Sequence, residues 1–101
     1  MQITYTYKDC KPEDFTSDVS FSEKDFDSKL EPLSKISLDL TEIRLIFTKN
    51  NNRFTSHAEA VVGGKSVDAI IEGYEPSEVV RASIKQLIQM LRDKKEKAQN
   101  H

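Results

Sequence analysis

Residues 43–71 read IRLIFTKNNNRFTSHAEAVVGGKSVDAII, and this stretch decides the fold. Its apolar residues alternate. Ile43, Leu45 and Phe47 fall on one side of an extended chain, with Glu42, Arg44, Ile46 and Thr48 on the other. Asn50, Asn51 and Asn52 then make a polar turn. Beyond it, Phe54, Ser56, Ala58, Ala60 and Val62 line one face, opposite Thr55, His57, Glu59 and Val61. Gly63-Gly64 marks a two-residue hairpin, because glycine accepts the positive φ angles that tight hairpins need. Val67, Ala69 and Ile71 point inward from the strand that follows. The period of two, broken twice by turn residues, predicts three consecutive antiparallel strands.

Outward from this core, the period changes. Val80, Ile84, Leu87, Ile88 and Leu91 recur at helical spacing, with Pro76 suited to the first turn and Glu75 and Glu78 favoured by the helix dipole. This helix is expected to end near Glu96. Toward the N-terminus, Ile3, Tyr5 and Tyr7 alternate with Gln2, Thr4, Thr6 and Lys8 in a further strand. Cys10 to Ser20 has no clear period and reads as loop. Ser22 with Asp25 resembles a capping box, and Phe26, Leu30 and Leu33 form the stripe of a short helix. Pro32 removes a backbone donor, so this helix should be short or kinked there. The fold class is α+β, in the order β-α-β-β-β-α. A right-handed first crossover puts both helices on one face of a four-stranded sheet.

At 101 residues the chain is expected to form one domain, 1–101. Its 37% apolar and 32% charged residues suit a soluble globular protein. No apolar run is long enough for a membrane span, and MQITYTYKD has no basic start followed by an apolar stretch, so no secretory signal is read. Cys10 is the only cysteine, so no internal disulfide is possible and the chain reads as cytoplasmic. The net charge of −2 argues against a general nucleic-acid binder, and no DNA is expected as a partner. The distribution says more. Residues 1–42 carry five Lys against ten Asp or Glu, whereas residues 43–101 carry ten Lys or Arg against seven acids.

No catalytic residue, metal or cofactor is expected. Cys10, His57 and His101 lie in three separate segments, with no metal-ligand spacing and no nucleophile beside a base. His57 and Glu59 share a strand face two residues apart, which reads as a surface ion pair rather than an acid–base pair. Gly63-Gly64-Lys65 lacks the spacing of a phosphate-binding loop. Base stacking on the open sheet face is disfavoured, since Tyr5, Tyr7, Phe47 and Phe54 point to the helix side. Ile46, Val61 and Ile70 on that face offer an apolar patch for a weak homodimer, the basis of an alternative reading as a protein-interaction module. The closing helix carries the best candidate surface. Arg81, Lys85 and Arg92 fall within about 40° of one another on a flank of its apolar stripe. Lys94, Lys95 and Lys97 extend the charge, diluted by Asp93 and Glu96. Composition alone favours an ordinary solvated helix end, where the dipole welcomes Lys and Arg.

EPSEVVRASIKQLIQMLRDKKEK, residues 75–97, changes those weights. With the β-α-β-β-β-α order it resembles the bacterial ribosome hibernation-promoting factors and related ribosome-associated translation inhibitors. Ala82-Ser83-Ile84, Leu87, Ile88 and Leu91 match that family's helix, Lys95 and Lys97 its basic end, and Lys29-Leu30-Glu31 its Lys-Leu-Glu. The match covers nearly the whole chain and is to the short forms. The resemblance implies binding to the small ribosomal subunit in the channel where mRNA and tRNA sit, translation inhibition, and basic helix faces on rRNA phosphates. The RNA-binding candidates are Lys29, Arg81, Lys85, Arg92, Lys94, Lys95 and Lys97. Arg81 and Lys85 come from helix geometry, because relatives carry other residue types there.

Overall fold

The computed structural model describes residues 2–11, 14–15, 23–36 and 39–99, and does not extend to the side chains of residues 23–26, 36 and 94–99. The elements are β1 (Gln2–Lys8), α1 (Glu23–Leu30), α2 (Leu33–Ile36), β2 (Leu40–Asn50), β3 (Arg53–Val62), β4 (Lys65–Gly73) and α3 (Pro76–Gln99). The four strands form one sheet in the order β1-β2-β3-β4. β1 runs parallel to β2, and the other neighbours are antiparallel.

The turns fall where the sequence places them. Val62 pairs with Lys65 across Gly63 and Gly64, whose φ angles are +59° and +78°. Asn50 pairs with Arg53, and Asn51 takes a φ of 57°, a conformation asparagine tolerates better than most residues. Pro32 divides the first helical region in two. The N–H of Glu31 closes α1 on Asp27, and the chain turns through Glu31 and Pro32 before α2 begins. Pro32 thus stands where no intrahelical N–H is needed. The capping residue Ser22 lies outside the described residues. α3 starts at Pro76 and runs to Gln99, past the end expected near Glu96. Its 24 residues make it about 36 Å long.

Both helical regions cover the same sheet face. Leu30 and Leu33 from one side and Val80, Ile84, Leu87 and Leu91 from the other share a buried cluster with Ile43, Leu45, Phe47, Ala58, Ala60 and Val62. The cluster also contains Phe15, from a segment expected to be loop. Asp14 and Phe15 are helical rather than loop, and Phe15 is fully buried. Its ring centroid lies 5.0 Å from that of Phe47 and 5.3 Å from that of Phe54. The segment is tied down at the surface. The Lys11 N–H donates to the Asp14 carboxylate at 2.8 Å, and Lys49 Nζ pairs with the same carboxylate at 3.4 Å. Cys10 lies beside this segment, its Sγ 3.3 Å from the Phe47 carbonyl, and burial pushes its thiol pKa up, with Asp14 adding to the effect.

One polar pair sits inside this core. Ser56 and Ser83 are fully buried, with hydroxyl oxygens 2.7 Å apart. Ser83 donates to the Val80 carbonyl at 2.8 Å, so its single hydrogen is used and Ser56 is the donor between the two. Ser83→Ala orphans the Ser56 hydroxyl and is expected to cost about 1–3 kcal/mol. Removing both hydroxyls should cost less than the two single changes together. A double-mutant cycle by chemical denaturation measures the difference. Additive losses would show that the pair is not coupled.

Candidate nucleic-acid interface

The apolar stripe that seats α3 on the sheet fixes what the helix turns outward. With Val80, Ile84, Leu87 and Leu91 buried, Arg81, Lys85 and Arg92 are exposed on one flank. Lys29, in the last turn of α1, is exposed on the facing helix. These four cations line a groove of about 430 Å³ between α1 and α3, together with Ile84, Ile88 and Gln89. The structure therefore brings Lys29, Arg81, Lys85 and Arg92 to one place. Lys94, Lys95 and Lys97 lie on the same helix, with side chains outside the described residues.

The charged side chains that line the groove are all cations. Among the described residues, Arg81, Lys85 and Arg92 have no ion-pair partner. Asp93, next to Arg92, accepts a hydrogen bond from Gln89 Nε2 at 3.0 Å. The sequence makes α1 acidic, yet Asp27 is half-buried and accepts a hydrogen bond from the Tyr5 hydroxyl at 2.8 Å. That carboxylate is turned toward the sheet. Glu31 is exposed at the α1–α2 turn, in a separate depression of about 620 Å³ lined by Ser28, Pro32, Ser34 and Lys35 as well. This second depression mixes both charge signs and gathers no set of like groups. The floor of the basic groove, Ile84 and Ile88, was visible in the sequence only as core. Ile88 is only partly buried at the edge of the stripe, and that position exposes it to the groove.

The opposite sheet face is an ion-pair lattice. Arg44 bridges Glu42 at 2.8 Å on its own strand and Glu59 at 3.2 Å across to β3. Arg53 meets Glu72 at 3.0 Å. His57 pairs with Asp68 of β4, its diagonal neighbour across the β3–β4 ladder, at 2.9 Å and not with Glu59, which Arg44 engages at 3.2 Å. Ile46 and Ile70 flank His57 on adjacent strands, and Ile70 is 56% exposed. The row Arg44, Glu59 and Asp68 separates this pair from Val61, so the three apolar residues do not form one patch. The four aromatics expected on the helix side are there, packed in or against the core.

Two carboxylates are titrationally distinct. The Lys11 N–H first, then Lys49, lowers the pKa of Asp14, and the Arg44 guanidinium lowers that of Glu42. A lowered folded pKa stabilises the fold above the ordinary value and is lost as pH falls through the folded value. The ordinary values are 3.8 for Asp14 and 4.5 for Glu42. The melting-temperature gap between Glu42→Gln and wild type should therefore be small, constant above about pH 5, and close below about pH 4. A gap that widens in acid would assign Glu42 the wrong sign.

Among the described residues, no group of three or more His, Cys, Asp or Glu is placed to hold a metal ion. Among the same residues no helix is long and apolar enough to cross a membrane. No family model matches the chain, and no curated protein matches its sequence. Solved structures do match. A ribosomal subunit interface protein from Coxiella burnetii superposes with a TM-score of 0.67 at 18% identity, covering 95% of this chain and 99% of that one. The Protein Y N-terminal domain from Thermus thermophilus gives 0.68 at 11% identity, covering 92% and 98%. Both neighbours belong to the hibernation-promoting factor family, and this chain has their fold.

Proposed function

We propose that this chain binds the small ribosomal subunit through rRNA phosphates, and by occupying it inhibits translation or holds ribosomes in hibernation. The observation that carries the reading is the groove in which Lys29, Arg81, Lys85 and Arg92 converge, on a fold shared with a protein described as a ribosomal subunit interface protein. Phosphate contacts from Lys and Arg position a protein on RNA without reading its bases. Lys94, Lys95 and Lys97 continue the same helix and extend the contact. The role is one of binding rather than catalysis. It places the protein in the cytoplasm, and calls for no cofactor or metal.

Co-sedimentation with purified small subunits tests this reading. With four cations engaged, the log–log salt slope should be about −3 to −4, taking duplex behaviour as the guide. Binding then weakens about a hundredfold between 50 and 200 mM salt. Absence from the ribosomal pellet at low salt would overturn the proposal.

A further inference from the structure

We infer that the groove between α1 and α3 seats an unpaired nucleotide of an RNA strand, with its base on Ile88, backed by the buried Ile84, and the neighbouring phosphates on Lys29, Arg81, Lys85 and Arg92. The inference rests on the RNA-binding reading above and gives it a ligand class. A site for phosphates alone needs only exposed cations on a convex surface. This one is a concavity of about 430 Å³ with two isoleucines among its cations. On α3, Ile88 lies within about 20° of Arg81 and about 40° of Arg92 around the axis, and between them along it. An apolar surface bordered by cations fits a ligand that is apolar on one face and anionic at its edge.

A nucleotide has that form only when its base is free of the stack. In a paired A-form helix the bases turn inward and phosphates and ribose hydroxyls meet the protein. Placing such a helix over the groove would leave the part-exposed Ile88 facing a polyanion. An unpaired base presents its flat face, and a side-chain platform takes it with little regard to its identity. Arg81 and Arg92 are eleven residues apart, about 16 Å along the helix, which leaves room for a base between the phosphates each contacts. Lys29 closes the groove from α1. Charge complementarity favours a strand over an isolated base, because three cations are spaced along the α3 flank of the apolar floor and Lys29 lines the groove from α1, rather than all gathering at one end.

The test compares three probes with the full chain at one salt concentration, by fluorescence anisotropy. They are a twelve-nucleotide single-stranded RNA, a hairpin duplex with as many phosphates, and the single strand with its central bases removed. The single strand should bind at least about fivefold more tightly than the duplex, the low end for one base on a side-chain platform. The abasic strand should lose that advantage while keeping its salt slope. Equal binding of all three overturns the seat and leaves phosphate binding standing, whereas failure of every probe overturns both. ATP binding as tight as the strand would also overturn the assignment, by making the groove a small-molecule site. Ile88→Ser should erase the preference for unpaired RNA without changing the salt slope, and Ile88→Met should retain it. A preference that persists in a folded Ile88→Ser chain counts against the proposal.

Discussion

A chain carrying Arg81→Glu, Lys85→Glu and Arg92→Glu is expected to remain folded and to lose ribosomal-subunit binding by about five-hundredfold at 0.1 M salt. The figure follows from counterion release. Each phosphate contact contributes about 0.9 to the log–log slope, so losing three removes about 2.7 decades at 0.1 M relative to 1 M. Repulsion from the new carboxylates adds to the loss. All three side chains are exposed, and none has an ion-pair partner among the described residues, so the melting temperature should move by only a few degrees. Lys65→Glu is the control. It makes the same change of charge at the β3–β4 hairpin, away from the groove, and should leave binding within about twofold. Co-sedimentation across a salt series reads both quantities. Wild-type binding by the triple variant would show that the groove is not the contact.

The second large effect concerns a residue far from the groove. Phe15→Ala should destabilise the protein by about 3–5 kcal/mol, the usual loss for a fully buried phenylalanine. Against a domain stability of about 5–15 kcal/mol, this is a third or more of the total in many cases. Phe15 packs against Phe47 and Phe54, and against Tyr7 at 6.4 Å, so truncation opens a cavity among rigid rings that cannot easily close over it. Phe15→Leu keeps most of the volume and should cost much less. Urea denaturation measures both. A loss below 1 kcal/mol for the alanine variant would mean that the ring is not the wedge its burial implies.

Phe15 also marks the limit of what periodicity reveals. The strands were legible because each buries one face, and alternation is the direct imprint of that burial. The Gly63-Gly64 turn was legible through the φ angles it requires, and the Asn50–Asn52 turn through its run of polar residues between two alternating segments. Around Phe15 the sequence shows no repeat of apolar residues, so its one buried ring looks like any other apolar residue in a loop. The His57 partner was nearer to hand. Pairing Val62 with Lys65 sets the hairpin register, and counting back puts Asp68 opposite Glu59 and diagonal to His57. For the groove, helical spacing gave the common flank of Arg81, Lys85 and Arg92. That Lys29 would face them depended on where the crossover lays α1, and the capture of Asp27 by Tyr5 depended on the same packing.

The buried hydroxyl pair has a further consequence for the groove. The apolar stripe chooses which side of α3 meets the sheet, but dispersion contacts are not directional, whereas a hydrogen bond is. Ser56 and Ser83 fix the angle, since only one angular setting of α3 brings the two oxygens within 2.7 Å. Turning the helix by one residue would swing its outer flank through about 100° and carry Arg81, Lys85 and Arg92 out of line with Lys29. The two serines thus serve as an index mark, like the key in a shaft. They hold the aim of the cations from inside the core, though neither serine is placed to touch RNA.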